Sequence, residues 1–234
     1  MFEQVCSQIR NAIYGIIGTS KIGEEQINCS NGTAFMISPG VIVTASHLVH
    51  VNLDSTQPIH SLFEVIRSPD IGQKMIKAQL IVEDPVRDIA LLRIENLSST
   101  TCVSLKPDPI TIGTGCGSLG FPLSSVTFTK TGKVFNLIER FQGAFISSLH
   151  TQIDPSGRQL SYYETDALMY KGSSGCPGFL VNGNVFGMHI RVFLDKAKED
   201  QSSSSTQPET RLAISLWVPS FDIITFAKNN GIAL

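Results

Sequence analysis

Short apolar runs recur along the whole chain, and they constrain the fold more than any other feature of the sequence. Most of them are rich in β-branched residues and are bounded by Gly, Pro, Asn or Asp. We predict strands over residues 34–37, 41–44, 79–82, 89–94, 117–119, 133–137, 179–181, 185–190 and 212–218. The Ser-Pro-Gly at 38–40 and the Asn-Gly at 182–183 each join two of these runs as turns. Many short strands with frequent turns are typical of an all-β sandwich or barrel.

Helical patterns occur only at the two ends of the chain. We predict a short helix over residues 3–15, ahead of a strand. A second predicted helix lies near the C-terminus, with Ser220 as its cap and Asp222 in its first turn. Lys228 lies in its last turn and Gly231 follows its end. The sequence therefore predicts a chain of strands with one helix at each end.

One long polar segment, from Asp195 to Thr210, interrupts the second half of the chain. It contains four consecutive serines at 202–205. We predict a mobile loop and not a domain linker, because only one strand and one helix follow it. Residues 1–234 are therefore predicted to form a single domain.

The composition excludes several classes of protein. The 234 residues are 16% charged with a net charge of −2, which gives no electrostatic reason to expect nucleic acid as a partner. No apolar run approaches the roughly 20 residues that span a bilayer. The five cysteines are odd in number and form no CxxC pair, so we expect reduced thiols. The N-terminus lacks the pattern of a secretory signal, and we expect a cytoplasmic protein or one delivered by a non-classical route.

Three segments carry residues that are typical of nucleophilic catalysis. His47 follows an apolar run, Asp88 lies at the start of another, and Ser174 lies in a Gly-rich loop. Asp88 comes 41 residues after His47, and Ser174 comes 86 residues after Asp88. A neutral imidazole can take the proton of a serine hydroxyl during attack, and a buried carboxylate can fix the imidazole tautomer. The three side chains together predict a catalytic triad.

The three segments resemble the trypsin-like (chymotrypsin-fold) serine protease superfamily, and within it the protease domain of the HtrA family. GTAFMISPGVIVTASHLV, at 32–49, resembles the strand and T-x-x-H segment of that family. DPVRDIALLRIE, at 84–95, resembles its D-P-x-x-D segment. TDALMYKGSSGCPGFLVNGNVFGMHI, at 165–190, resembles its G-N-S-G-G-P segment and the hairpin that follows. The resemblance runs from about residue 12 to residue 230.

The resemblance implies both a fold and a reaction. The fold is two six-stranded Greek-key β-barrels, at about 12–105 and 110–219, with a C-terminal helix at about 220–230. The reaction is peptide-bond hydrolysis by a serine endopeptidase through an acyl-enzyme, with no cofactor and no metal. Ser174 would be the nucleophile, His47 the general base and then acid, and Asp88 the residue that orients His47. The amides of Gly172 and Ser174 would form the oxyanion hole.

Other interpretations of these residues are weaker. Asp84 is a rival carboxylate to Asp88, but Asp84-Pro85 favours a turn. His47 and His50 have a short spacing like that of some metal ligands, yet no cluster of Cys, Asp or Glu accompanies them. His60 has no evident partner, and we predict a solvated side chain.

The chain also departs from related patterns. Ser173 stands where trypsin-type zymogens hold an aspartate, so we expect no activation by a newly cut N-terminus. Cys176 replaces the second glycine after the nucleophile, where we expect a small buried side chain. The chain ends at Leu234, soon after the helix, so we expect no PDZ domain. HtrA proteases are often trimers, and the resemblance suggests a homo-oligomer of that kind.

Two segments of the chain are expected to bind the substrate residue that precedes the cleaved peptide bond. These are the stretch before the nucleophile and the strand after the Asn-Gly turn: Leu168, Met169, Tyr170, His189, Ile190 and Arg191. The Gly-Met-His at 187–189 is similar to the G-[IM]-H of glutamyl endopeptidases and picornavirus-type cysteine proteases, whose histidine recognises Glu or Gln. Those families also carry a Thr or Ser at the position of Met169. The preference stays open between Glu/Gln and a medium apolar residue, with proteins or peptides as substrates.

A second class of function is a catalytically silent interaction module on the same fold. The presence of all three triad residues counts against it.

Overall fold

The computed structural model describes residues 1–22, 26–70, 75–96, 100–129, 132–195 and 210–234. It contains two helices and fifteen strands within these ranges. The helices are α1 (Glu3–Ile9) and α2 (Ser220–Asn229). In the first half the strands are β1 (Ile13–Ile22), β2 (Gln26–Ser38), β3 (Val41–Thr44), β4 (Leu62–Arg67), β5 (Ile76–Asp84), β6 (Ile89–Ile94) and β7 (Ser104–Leu105). They continue as β8 (Gly115–Gly120), β9 (Ser125–Thr129), β10 (Gly132–Asn136), β11 (Arg140–Ile153), β12 (Gln159–Thr165), β13 (Pro177–Leu180), β14 (Asn184–Asp195) and β15 (Thr210–Pro219).

The first six strands form a closed antiparallel barrel in the order β1-β2-β3-β6-β5-β4. β3 and β6 lie side by side in its wall, with Thr44 opposite Ala90. Every residue of β3 is buried, and so is every residue of β6 except Arg93. Their continuous apolar runs fit strands that are covered on both faces. The barrel therefore places the end of β3 and the start of β6 next to each other.

The second half of the chain forms a seven-strand sheet in the order β13-β8-β11-β12-β15-β14-β7. An additional pairing of β13 with β14 joins the first strand of this order to the sixth. Six antiparallel strands thus make a ring, and β7 adds to β14 in parallel. The separate hairpin of β9 and β10 completes this half. The all-β, trypsin-like fold with a short C-terminal helix is confirmed, whereas the predicted domain boundaries stay predictions.

The turns predicted from the sequence join the strands as expected. Gly40, between β2 and β3, has φ +79°, and Gly183, between β13 and β14, has φ +85°. Glycine adopts this left-handed conformation without a steric cost. The Gly183 amide also donates to the Leu180 carbonyl and closes the hairpin.

The predicted N-terminal helix over residues 3–15 is wrong at its end. α1 ends at Ile9, a short 3-10 turn covers Arg10–Ala12, and β1 begins at Ile13. β1 pairs with β2 on one side and β4 on the other. The β-branched side chains of Ile13 and Ile16 are buried there, so barrel packing decides against the helix.

The C-terminal helix begins and ends for different reasons. Ser220 is its first residue, and its hydroxyl donates to the Lys106 carbonyl; its predicted role as a cap is therefore wrong. The end follows the prediction, since Gly231 has φ +76° and its amide donates to the Lys228 carbonyl. The Ile232 amide reaches the Ala227 carbonyl, which completes a Schellman motif.

The predicted mobile loop from Asp195 to Thr210 falls almost wholly outside the described residues, at 196–209. Its two ends pair with each other as the last residues of β14 and the first of β15. Neither helix in the described part of the chain has the length and hydropathy to cross a membrane.

Candidate active site

His47 and Asp88 are brought together by the neighbouring strands of the first barrel. β3 ends at Thr44, and a 3-10 turn over Ser46–Val49 then carries His47. Asp88 directly precedes β6. One carboxylate oxygen of Asp88 accepts the His47 amide at 2.8 Å, and the other lies 2.7 Å from His47 Nδ1. The carboxylate therefore fixes both the backbone and the ring of His47, and the orienting role of Asp88 stays a prediction.

Asp88 is held in an unusual backbone conformation, with φ +60°. A non-glycine residue in this region costs free energy and persists only where its surroundings fix it. Asp84 supplies part of that support, because its carboxylate accepts the amides of Val86 and Arg87. Arg158 also lies 3.5 Å from this carboxylate. Asp84 is thus engaged in the turn before Asp88, which supports the turn interpretation and leaves Asp88 as the partner of His47.

Ser174 lies in the loop between β12 and β13, and this loop contains two glycines in the left-handed region. Gly172 has φ +93° and Gly175 has φ +81°. A Cβ atom at Gly175 would lie 1.9 Å from the Thr33 carbonyl oxygen, so no larger residue fits there without movement. The loop around Ser174 is therefore fixed by backbone conformation and close packing.

The amides of this loop divide into two groups. Those of Ser173, Gly175 and Cys176 donate to the carbonyls of Tyr170, His189 and Ser173, respectively. Within the described hydrogen bonds, the amides of Gly172 and Ser174 donate to no protein oxygen. Two unused neighbouring amides are what a developing oxyanion needs. Their position fits the oxyanion hole expected from the sequence, and that assignment stays a prediction.

Thr33 joins the two halves of the site, a role that the sequence did not reveal. Its hydroxyl accepts the Phe121 amide at 3.0 Å and donates to the Gly172 carbonyl at 3.0 Å. Its own amide donates to the Ser174 carbonyl at 2.9 Å. Thr33 is fully buried in β2. The only sequence signal was its place in the Gly-Thr segment ahead of His47.

The loop carrying Ser174 packs against the turn carrying His47. A Cβ atom at Gly32 would meet Leu48 on one side and the Ser174 carbonyl on the other, at 2.4 and 2.9 Å. Among the described residues, His47 is hydrogen-bonded to Asp88 and not to Ser174. In enzymes without substrate this bond is often long and tightens when substrate binds.

Five of the six predicted substrate-binding residues line two cavities, and His189 lines neither of them. Leu168, Met169 and Tyr170 lie on one of about 370 Å³, together with Ser173 and Cys176. Ile190 and Arg191 lie on a second cavity of about 520 Å³ that also includes His47 and Asp88. Other residues of this second cavity were not predicted from the sequence: Leu53, Val86, Gln152, Tyr162, Phe193 and Leu216.

His189 is buried beside the Ser174 loop. Its side chain is 3% exposed, and its ring lies edge-on to Trp217 with centroids 5.1 Å apart. Burial lowers the pKa of His189 to about 3, so its imidazole is neutral at physiological pH. Among the described residues neither ring nitrogen has a partner with good hydrogen-bond geometry, although the backbone of Ser173 and Arg191 lies close enough to oppose the lowering of the pKa. The neutral ring carries one N–H, and a buried N–H that donates to nothing costs free energy. The ring therefore has a donor that a ligand could use.

Cys176 and His60 are also buried. Cys176 is 1% exposed, and burial raises the pKa of its thiol far above the usual range, as expected for a small apolar side chain. His60 is 3% exposed and its Nδ1 lies 3.2 Å from the Ser20 hydroxyl. The prediction of a solvated His60 is therefore wrong, because the edge of the barrel closes over this ring. Within the described ranges no group of three or more His, Cys, Asp or Glu is arranged to hold a metal ion.

Comparison with known proteins agrees with this fold. The family described as "Trypsin-like peptidase domain" matches residues 32–188, a range that includes His47, Asp88 and Ser174. Because this range covers more than half of the chain, the chain belongs to the trypsin-like peptidase family.

Several proteases are similar over most of this chain. A "Probable periplasmic serine endoprotease DegP-like" of Ectopseudomonas mendocina is 26% identical over 172 residues, 73% of this chain and 31% of that protein. "Serine protease Rv3671c" of Mycobacterium tuberculosis is 27% identical over 167 residues, 71% of this chain and 37% of that protein. "Serine protease HTRA2, mitochondrial" of Drosophila erecta is 25% identical over 198 residues, 77% of this chain and 43% of that protein. The predicted likeness to HtrA proteases is confirmed, and the chain spans less than half the length of each of these relatives.

Solved structures show the same fold. The active form of the Rv3671c protease from M. tuberculosis aligns with 98% of this chain and 85% of that chain, with a TM-score of 0.70 and 19% identity. Its inactive form aligns with 97% of this chain and 92% of that chain, with a TM-score of 0.66 and 18% identity.

Proposed function

We propose that this chain is a serine endopeptidase that cleaves proteins or peptides through an acyl-enzyme on Ser174. The observation that carries the proposal is that the Asp88 carboxylate hydrogen-bonds both the amide and Nδ1 of His47, at 2.8 and 2.7 Å. Because Nδ1 is engaged by Asp88, Nε2 is the ring nitrogen that can accept a proton. Membership of the trypsin-like peptidase family and the protease names of the relatives support the same conclusion.

In the proposed reaction, His47 Nε2 accepts the Ser174 hydroxyl proton as the oxygen attacks the scissile carbonyl carbon. The carbonyl oxygen becomes an oxyanion, and the amides of Gly172 and Ser174 donate to it. His47 then returns the proton to the leaving amine, and the peptide bond breaks. A water molecule, deprotonated by His47, hydrolyses the resulting ester and restores the Ser174 hydroxyl. Asp88 stabilises the imidazolium in both halves of the cycle.

For the residue before the cut, we propose Glu or Gln, with a medium apolar residue as the second candidate. The unpartnered ring of His189 favours Glu or Gln, because a side-chain oxygen of either could accept its N–H. Because the imidazole is neutral, binding does not require a charge on the substrate, and Gln suits it as well as Glu. The buried, apolar Met169 favours the second candidate.

The test is cleavage of a diverse quenched-fluorescent peptide library by the wild-type protein. Ser174→Ala should remove turnover and leave the melting temperature unchanged, whereas Ser147→Ala, at an exposed serine of β11, should cleave like the wild type. Residual cleavage by Ser174→Ala would contradict the assignment of the nucleophile. A folded wild-type protein that cleaves nothing would favour the silent interaction module.

The same library decides the preference before the cut. Cuts after Gln or Glu that weaken in His189→Asn would support the recognition role of His189. Cuts after Val, Leu or Ala that do not change in His189→Asn would favour an apolar pocket and make His189 structural.

A further inference from the structure

A second histidine–carboxylate pair lies beside the first and uses the same turn. His50 is three residues after His47, and its Nε2 lies 2.9 Å from Glu83 Oε2 and 3.1 Å from Glu83 Oε1. His50 is 4% exposed, and its other nitrogen, Nδ1, lies 2.6 Å from the Gln57 carbonyl oxygen. Both nitrogens of this buried ring are therefore engaged.

Glu83 also binds the residue immediately before His47. The hydroxyl of Ser46 donates to Glu83 Oε2 at 2.6 Å, and Ser46 is fully buried. The single carboxylate of Glu83 thus contacts Ser46 and His50, which lie on either side of His47 in the chain. Asp88 holds His47 itself. The carboxylates of Glu83 and Asp88 therefore hydrogen-bond three residues of the 46–50 turn.

The two carboxylates come from adjacent positions in the barrel. Glu83 lies in β5 opposite Ala90 of β6, and Asp88 directly precedes β6. A movement of the 46–50 turn relative to this strand pair would change the direction of the His47 ring. Glu83 opposes such a movement because it forms directional hydrogen bonds with two ordered, buried partners.

We propose that Glu83 is a positioning residue that holds the turn bearing His47 through hydrogen bonds to Ser46 and His50. Glu83 acts through these two residues and does not touch the substrate. This inference rests on the proposed function of His47 as the general base. It assigns the effect to hydrogen-bonded tethering and not to the charge of the carboxylate.

The distinction between tethering and charge can be tested with two substitutions at one position. In Glu83→Gln the amide oxygen can still accept the Ser46 hydroxyl, and the amide N–H can donate to His50 Nε2. His50 keeps its Nδ1–H for the Gln57 carbonyl. Glu83→Ala removes both tethers. Asp70→Ala is the matched control, because Asp70 holds Arg67 by two hydrogen bonds in the same barrel but does not contact the 46–50 turn.

We expect Glu83→Ala to lower kcat roughly 10- to 100-fold with little change in KM, as small displacements of a reacting group do. Glu83→Gln and Asp70→Ala should stay within about threefold of the wild type. An unchanged kcat in folded Glu83→Ala would overturn the proposal. A loss in Glu83→Gln equal to that in Glu83→Ala would also overturn it, because the charge would then be responsible. If Glu83→Ala fails to fold, Ser46→Ala removes one of the two tethers, and we expect a smaller drop in kcat. An unchanged kcat in folded Ser46→Ala would contradict the proposal.

A spectroscopic measurement separates failure of this inference from failure of the proposed function. The proton shared by His47 Nδ1 and Asp88 should give a low-field NMR resonance that Asp88→Asn removes. Even in a protein without turnover, this resonance should shift or broaden in Glu83→Ala and stay in place in Glu83→Gln and Asp70→Ala. An unchanged resonance in Glu83→Ala would contradict the positioning role.

Discussion

The two halves of the candidate site are fixed by different kinds of interaction. The half from the first barrel places His47 through side-chain carboxylates, with Asp88 on the ring and Glu83 on the flanking residues. The half from the seven-strand sheet places Ser174 through backbone conformation, with two left-handed glycines and close contact to Thr33. We therefore expect the first half of the site to be disrupted by substitutions that remove a carboxylate. The second half should be disrupted by substitutions that replace a glycine with a larger residue.

The largest expected effect is on the carboxylate that holds the base. Asp88→Asn places an amide where both the His47 amide and Nδ1 donate, so one donor faces an N–H or the ring adopts the other tautomer. We expect kcat/KM to fall by roughly 10⁴-fold with the fold intact. Steady-state kinetics on a cleaved peptide measure this, with Asp70→Asn as the control. A loss below about tenfold would mean that another carboxylate orients His47.

The next effect should appear at the tightest contact of the second half. In Gly175→Ala the new Cβ would lie 1.9 Å from the Thr33 carbonyl oxygen, with φ at +81°. We expect the free energy of unfolding to fall by about 3–5 kcal/mol in urea denaturation. Gly40→Ala is the matched control, because its φ is +79° but a Cβ there has no neighbour within 4 Å. It should cost only about 1–2 kcal/mol. Equal costs at the two positions would show that the contact with Thr33 is unimportant.

A comparable effect on stability is expected where the two halves of the site meet. Thr33→Val keeps the shape of the side chain but leaves the Phe121 amide and the Gly172 carbonyl without their shared partner. Each buried group left unpaired costs about 1–3 kcal/mol of stability, and movement of Gly172 should also lower kcat. Thr33→Ser retains the hydroxyl and should keep most of the activity. The joining role of Thr33 would be disproved by a Thr33→Val protein as stable and active as Thr33→Ser.

The smallest expected effect is the pH dependence of stability that comes from the buried His189. At pH 7 His189 is neutral in both the folded and the unfolded chain. Below about pH 6.5 the unfolded chain binds a proton that the folded protein, with its His189 pKa lowered to about 3, does not bind. The free energy of unfolding should therefore fall as the pH falls, by about 2 kcal/mol from pH 6.5 to pH 5. His189→Asn should make this dependence shallower, and an identical slope would place a charged His189 in the folded protein.

The sequence predicts the central strands of the barrel better than the long strands of the seven-strand sheet. β3 and β6 have the predicted bounds, because their apolar runs are buried on both faces and end at turn residues. β11 and β12 were not predicted. Most side chains of β11 are exposed or half-buried, and its strand state is fixed by pairing with β8 and β12. Contacts between distant segments therefore decide what local pattern cannot.

The same limit applies to the site. His47, Asp88 and Ser174 could be identified because each lies in a motif with a recognisable order. Thr33 could not, since its hydroxyl bonds Gly172 across 139 residues of sequence. Glu83 was hidden for a related reason, because only the pairing of β5 with β6 brings it to Ser46 and His50.

The most direct test of the central claim is the site of reaction with a fluorophosphonate probe, found by mass spectrometry of the labelled protein. Ser174 should carry a single adduct, and the rate of its formation should fall sharply in Asp88→Asn. Ser174→Ala should carry none. An unlabelled, folded wild-type protein, or an adduct on any other serine, would contradict the assignment of Ser174 as a nucleophile activated by His47.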